Sequence, residues 1–250
     1  ITPVKNDKKN IEKTIRSLSN QTYKKYEHII VDGNSTDGTL EILKKYKKKI
    51  KLISRKDKNL WDALNAGIKI SKGDIIGVLN SKDIFYPNAL KTINKYFNNH
   101  SIDFLFGAVK KKKINYKFEP KKIFYRFNIY PSHSCSFFIK SSAQRKLGNY
   151  NIKYEYCADY DMFYKMIVKK KMKGISTKKI DVIGKFDLNG ISSKLPFYKH
   201  YFYEMKIRLD NGQNLFYLII LYIVKILNKL RNKLLQTRSN LAHKEINLFK

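Results

Sequence analysis

Two rhythms of apolar residues alternate along the first hundred positions. Short apolar runs end in polar turns, and between them apolar residues return every three or four positions. Ile1–Val4 is short and apolar and reads as the end of a strand. Ile11, Ile15 and Leu18 follow at helical spacing, with Asn6 or Asp7 as the expected cap. Tyr26–Asp32 is a second strand, closed by the turn-rich Gly33–Thr39. Leu40, Leu43 and Tyr46 predict a second helix, Ile50–Ser54 a third strand, and Leu60, Leu64 and Ile68 a third helix. Asp74–Asn80 reads as a strand buried on both faces, and Pro87 opens a fourth helix through Leu90, Ile93 and Phe97. Four such alternations with short links predict an α/β, Rossmann-like domain: a mostly parallel sheet flanked by helices.

Beyond Ser101 the links are less regular. Strands are expected at Ile102–Val109, Ile114–Phe118 and Ser136–Lys140, a helix at Ala158–Val168, and a strand near Ile180–Phe186. Residues 1–195 are expected to form one domain and 196–250 a basic, amphipathic helical tail. The tail's apolar stretch, Leu215–Leu227, is broken by Lys225 and followed by lysines and arginines. It is short for a membrane span. It suits a helix lying on an anionic membrane surface, or one packed on the domain or on a second copy in a homodimer.

Composition adds a strong charge. The formal net charge is +32, and 43% of residues are hydrophobic, enough for a sizeable core. Such charge attracts anions: nucleic acid, acidic lipid or a phosphorylated substrate. The lysines are scattered over helix faces, and Lys, Asn, Ile and Tyr are abundant together, as in an AT-rich genome. No nucleic-acid-binding module is present, so no nucleic-acid partner is expected. Only Cys135 and Cys157 occur, without metal-like spacing, which fits a reducing compartment. No secretory leader is recognisable at the start, although the chain begins without methionine. The absence of GxGxxG after the first strand speaks against a dinucleotide dehydrogenase.

In open parallel sheets, ligands bind at the carboxyl ends of strands. Three polar corners fall there: Thr2-Pro3-Val4, Asp32-Gly33-Asn34-Ser35 and Asn80-Ser81-Lys82-Asp83. Each alone is also a plausible turn or helix cap; their shared placement makes them a candidate site.

The segments TPVKND, IIVDGNSTDGTLEIL, DKNLWDALNAGI, KGDIIGVLNSKD and CADYDMF resemble, in sequence and order, family 2 glycosyltransferases with the GT-A fold. The resemblance covers about residues 1–195 and is most specific from Ile29 to Asp83. It is closest in character to the branch acting on bacterial surface polysaccharides, in which a GGIS-type segment often follows; here that segment is Asn189-Gly190-Ile191-Ser192. The resemblance implies an inverting transfer of a sugar from a nucleotide donor, UDP-linked by expectation, to a hydroxyl of a growing glycan such as capsule or lipooligosaccharide. The acceptor could be carried on a lipid, which would put the enzyme in the cytoplasm, peripheral to the inner face of the cytoplasmic membrane. The alternative is a homologue that binds nucleotide-sugar or glycan without catalysis, its metal site decayed.

By the same resemblance, Asp32 would accept a hydrogen bond from the nucleobase, and Pro3 and Val4 would line it. Lys5 stands where many members carry an aromatic. Asp62 and Asn65 would lie near the donor, and Trp61 stands where the branch often has tyrosine. Asp159 would be the general base, at a helix start where a carboxylate is favoured. His133 would touch acceptor or diphosphate, with Ser134 in place of a usual glutamine. Donor pockets in the family are completed by variable loops, here expected within Gly107–Ser132.

Asn80, Ser81 and Lys82 would face the nucleotide-sugar, in a turn usually written Asn-Ser-Asp-Asp. The third position ordinarily gives a carboxylate to Mg²⁺ or Mn²⁺, and a lysine there removes an oxygen ligand and repels the ion. Three readings stand: a weakened metal site through Asp83 and water, Lys82 itself as the cation for the diphosphate, or an impaired site.

Overall fold

The structure is a computed structural model that describes residues 1–126, 129–188, 190 and 195–248, without the side chains of residue 233 and of 236–248. The GGIS-like segment lies, apart from Gly190, outside the described residues. The chain divides into two compact units, Ile1–Pro196 and Phe197–Lys250.

In the first unit, strands β1 (Thr2–Val4), β2 (Ile29–Asp32) and β3 (Lys51–Ser54) pair in parallel in the order β1-β2-β3. Strand β4 (Ile75–Gly77) continues this layer beside β1: the Ile1 nitrogen donates to the Gly77 carbonyl at 2.8 Å, and Leu79 N–H donates to the Ile1 carbonyl at 3.0 Å. On the far side of β4 come β9 (Phe137–Lys140), β6 (Phe104–Phe106) and β10 (Gly174–Ser176). Only β9 runs against its neighbours; β10 is parallel to β6. A second sheet holds β5 (Ile84–Phe85), β11 (Val182–Lys185), β7 (Ala108–Lys110) and β8 (Ile114–Asn115), in that order.

Both faces of the main sheet are covered, which is why its strands read as unbroken apolar runs. Successive residues of β2 point to opposite sides. Ile30 packs with Ile11 and Ile15 of α1 (Ile11–Ser19) and Leu43 of α2 (Thr39–Lys45), whereas Ile29 and Val31 pack with Ala63 of α3 (Leu60–Ile70). The same alternation runs through β6 and β9. Leu105 and Phe138 meet Ile93 and Phe97 of α4 (Ala89–Asn99), while Phe104, Phe106 and Phe137 meet Phe163 of α6 (Ala158–Tyr164). Helix α5 (Ser141–Leu147) follows β9, and a π-helical turn, Lys165–Lys169, extends α6.

Several local expectations change. Neither Asn6 nor Asp7 caps α1: Asn10 precedes it, and Asp7 spends its carboxylate on Asn10 and Ser81. Ile102–Val109 is not one strand. It breaks at Gly107, where a Cβ would come within 2.1 Å of the Ile183 side chain, and the chain passes there from the main sheet to the second. Of Ile114–Phe118 only Ile114–Asn115 is strand, followed by a 3₁₀ turn at Pro120–Phe124.

The second unit is a helical pair, α7 (Phe197–Asp210) and α8 (Leu215–Leu248). Its interior is ionic: Arg208, fully buried, bonds Glu204 at 2.7 Å, and Lys225 reaches the same carboxylate at 2.7 Å. Among the described residues, no helix is long and apolar enough to cross a membrane.

Candidate active site

The β-strand ends deliver the three polar corners to one edge. Asp32 closes β2 and is fully buried. Its Oδ2 accepts from Ser35 N–H at 3.1 Å and from the Ser54 hydroxyl at 2.8 Å, whereas its Oδ1 is buried with no hydrogen-bond partner among the described residues. Beside it, Pro3 and Val4 are buried, Val4 C=O accepts from Gly33 N–H at 2.8 Å, and exposed Lys5 leads the chain off the edge. The stem of Lys5 lies across Gly33: a Cβ there would sit 3.3 Å from Lys5 Cβ and Cδ. A larger side chain at position 33 would push the lysine stem aside.

The turn after β4 is tied down on every side but one. Asn80 N–H donates to Ser134 Oγ at 2.7 Å, and Asp83 N–H donates to Asn80 C=O at 3.0 Å. The Ser81 hydroxyl donates to Asp7 Oδ2 at 2.5 Å, and the buried Thr14 hydroxyl bridges the carbonyls of Ser81 and Asp83 at 2.7 and 2.9 Å. Asn80 Oδ1 is buried without a partner among the described residues, and the Lys82 side chain is exposed.

Asp83 corrects an expectation. Sequence reasoning left it as the carboxylate for a metal, but it turns inward and is only 1% exposed. The Ser134 hydroxyl donates to its Oδ2 and Asp187 N–H to its Oδ1 at 2.7 Å. Burial pushes its pKa up to about 6, against the pull of those hydrogen bonds and of Lys111, while burial lowers the pKa of Lys111. With both oxygens spoken for and lysine at position 82, the turn does not fit the Mg²⁺ or Mn²⁺ that the resemblance implied. Among the described residues, no group of three or more His, Cys, Asp or Glu is arranged to hold a metal ion.

Asp159 sits in the first turn of α6 and is half-buried; its Oδ2 accepts from the Tyr130 hydroxyl at 3.1 Å. It lies close enough to bias His133 electrostatically, although burial dominates and lowers the histidine's pKa. His133 Nε2 is 2.7 Å from the Tyr150 hydroxyl, and its ring packs against Trp61, Phe137 and Phe163. A continuous set of contacts therefore runs from the β4 turn through Ser134 and His133 to Tyr150 and the surroundings of Asp159. Burial and the Asp159 charge together hold the Tyr130 and Tyr150 hydroxyls protonated.

Asn65, expected near the donor, binds the backbone of Tyr150. Its Nδ2 donates to Tyr150 C=O and its Oδ1 accepts from Tyr150 N–H, both at 2.9 Å, so it holds the segment that carries Tyr150. Asp62 accepts from Arg55 at 2.8 Å and from Lys58 N–H at 3.0 Å. Trp61 is buried, and its Nε1 donates to Glu155 C=O at 3.0 Å. Helix α3 is capped by Asn59, whose Oδ1 accepts from Trp61 and Asp62 N–H at 3.1 Å. Sequence reasoning missed Tyr130, Tyr150 and the double role of Ser134. Tyr130 had one local signal, its place three residues before His133, but among 18 tyrosines that is faint.

The fold that carries this edge, with acceptors at strand ends and a carboxylate at a helix start, is the GT-A fold. The chain belongs to glycosyl transferase family 2, whose profile matches residues 1–170. It is 29% identical over 184 residues to an uncharacterized glycosyltransferase of Rickettsia typhi, covering 67% of this chain and 57% of that protein. It is 34% identical over 113 residues to TarP of Staphylococcus aureus, a poly(ribitol-phosphate) beta-N-acetylglucosaminyltransferase, covering 43% of this chain and 35% of that one. The chain thus spans little more than half the length of the Rickettsia relative. Among solved structures, S. aureus TarS in complex with UDP superposes with a TM-score of 0.63 at 18% identity, over 88% of this chain and 68% of that one. A Pyrobaculum calidifontis mannosyltransferase in complex with GDP-Man and Mn²⁺ gives 0.60 at 15% identity, over 82% and 59%.

Proposed function

We propose that this protein is an inverting glycosyltransferase that moves a sugar from a UDP-linked donor to a hydroxyl of a bacterial surface glycan. The observation that carries the reading is a pair of buried acceptors without partners among the described residues, Asp32 Oδ1 and Asn80 Oδ1, at two of the three polar corners of the sheet edge. A buried acceptor left unpaired costs about 1–3 kcal/mol, and such atoms call for an explanation. An imide N–H of uracil on Asp32 and a hydroxyl of the donor on Asn80 would supply the missing partners. Asp159 then acts as base. Its Oδ2 is held by Tyr130, and Oδ1 has no hydrogen bond among the described residues. The acceptor hydroxyl gives its proton to Asp159 as its oxygen bonds the anomeric carbon. The bond from that carbon to the diphosphate breaks, and its electron pair leaves with the nucleotide.

The net charge of +32 suits an anionic or lipid-linked acceptor, in keeping with the anionic polymer named for TarP. The tail supports a place at the cytoplasmic membrane face: Phe216, Ile219, Ile220, Ile223 and Leu227 of α8 are exposed, and Lys229 and Arg231 follow. Capsule and lipooligosaccharide are the glycans we put first.

The test uses full-length protein, UDP-sugars including UDP-GlcNAc, and donor hydrolysis or transfer as readouts. Asp159→Asn is expected to abolish turnover and keep UDP affinity within about twofold, a difference under about 0.5 kcal/mol. The replacement of the metal carboxylate by Lys82 favours a second reading, a binder that no longer catalyses. Tight UDP-sugar binding without hydrolysis or transfer to any offered acceptor would establish that reading instead.

A further inference from the structure

Resting on the transferase reading, we infer that Lys82, with Lys5, takes the place of the metal ion and neutralises the donor diphosphate. Three observations converge. The only acidic residue in the turn, Asp83, is closed off by Ser134 and Asp187, so no carboxylate in the turn is free to hold an ion. The turn is nonetheless rigid: Asn80, Ser81 and Asp83 are all bonded to α1, Asp7 or Ser134, and Lys82 alone projects, exposed and without a recorded partner among the described residues. A decayed site would be expected to lose this scaffolding as well as the carboxylate. Third, Lys5 leaves β1, the strand between β2 and β4, and its stem crosses Gly33 next to Asp32. The bond between Asp7 and Ser81 ties the two lysine-bearing loops together.

The chemistry fits the replacement. As the bond between the anomeric carbon and the β-phosphate oxygen breaks, its electron pair stays on that oxygen, and the departing nucleotide gains one negative charge. A cation fixed beside that oxygen stabilises the charge where it develops. A lysine ammonium does this as a compact point charge with three donors and needs no oxygen ligands from the protein. Lys5 would meet the same diphosphate from the nucleobase side, in the spot where an aromatic would otherwise cover the base. The pair turns the loss of the metal ligand into a metal-independent site.

Calorimetric titration of the full chain with UDP, and with GDP as comparison, tests this in EDTA and in excess Mn²⁺. The wild type is expected to bind with the same affinity in both. Lys82→Ala should weaken binding about tenfold in both, about 1.4 kcal/mol, and Lys5→Ala should weaken it less. Lys82→Asp should bind weakly in EDTA and regain affinity with Mn²⁺. Because Lys82 is exposed, unchanged thermal midpoints are expected for its variants. Wild-type binding that appears only with Mn²⁺, or that Lys82→Ala leaves unchanged, overturns the inference and leaves the transferase standing. No binding of either nucleotide under any condition sinks both.

Discussion

Asp83 makes the corner's energetics measurable. It is a carboxylate buried to 1% exposure with hydrogen-bond donors on both oxygens, and its pKa is nevertheless pushed up to about 6. The sign follows from linkage. Well below about pH 4 the folded and unfolded chains both hold the proton, and the site is neutral in each. As pH rises toward 6 the unfolded chain releases it first, so folding loses stability across that window. A shift of about two units is worth about 3 kcal/mol once pH exceeds 7, with about 1.5 kcal/mol already lost at pH 5. His28 works in the opposite sense: burial pushes it down to about 3, so its contribution is lost as pH falls below its usual range. A wild-type stability curve blends the two, and the difference between wild type and Asp83→Asn isolates the carboxylate. The new amide keeps the shape, accepts from Asp187 N–H and donates to Ser134 Oγ. Urea unfolding from about pH 5 to about pH 7.5 should show the variant gaining about 1–1.5 kcal/mol relative to wild type over that range. A difference that stays flat, or that falls with pH, would refute the account of Asp83 as a buried, costly carboxylate.

Asn65→Ala removes both bonds to the Tyr150 backbone, which is buried, and should lower stability by about 2–4 kcal/mol while UDP affinity changes little; unchanged unfolding with lost UDP binding would show a donor-contact role instead. Tyr130→Phe removes the hydrogen bond that the Tyr130 hydroxyl donates to Asp159 and should lower kcat about tenfold, about 1.4 kcal/mol, at unchanged donor KM; steady-state kinetics on UDP-sugar decides it. Removal of residues 197–250 is expected to abolish co-flotation with vesicles rich in anionic lipid, and equal flotation of both forms would end the membrane role of the tail.

What the sequence made legible was whatever depends on neighbours in the chain. The alternation of Ile29, Ile30 and Val31 is local, and so were the sheet and its covered faces. The polar corners were legible because a strand's carboxyl end is marked by the residue that follows it. The helix spacing of Leu60 and Leu64 gave α3, though Asn59 as its cap went unnoticed. The contacts that the sequence did not show share one cause. Asn65 bonds Tyr150, 85 positions away, and Asp7 bonds Ser81, 74 positions away. Lys82 and Asp83 show the limit most plainly. They are adjacent, both charged, and both in a turn, where every local rule places charge at the surface. One is exposed and the other buried. The choice was made by Ser134, from the segment before β9, and by the backbone of Asp187, after β11. A buried carboxylate is tolerated only where partners await it, and these partners arrive from 51 and 104 residues downstream. With the interior side of the turn taken by Asp83, position 82 is left on the outer side of the turn, where its lysine is exposed.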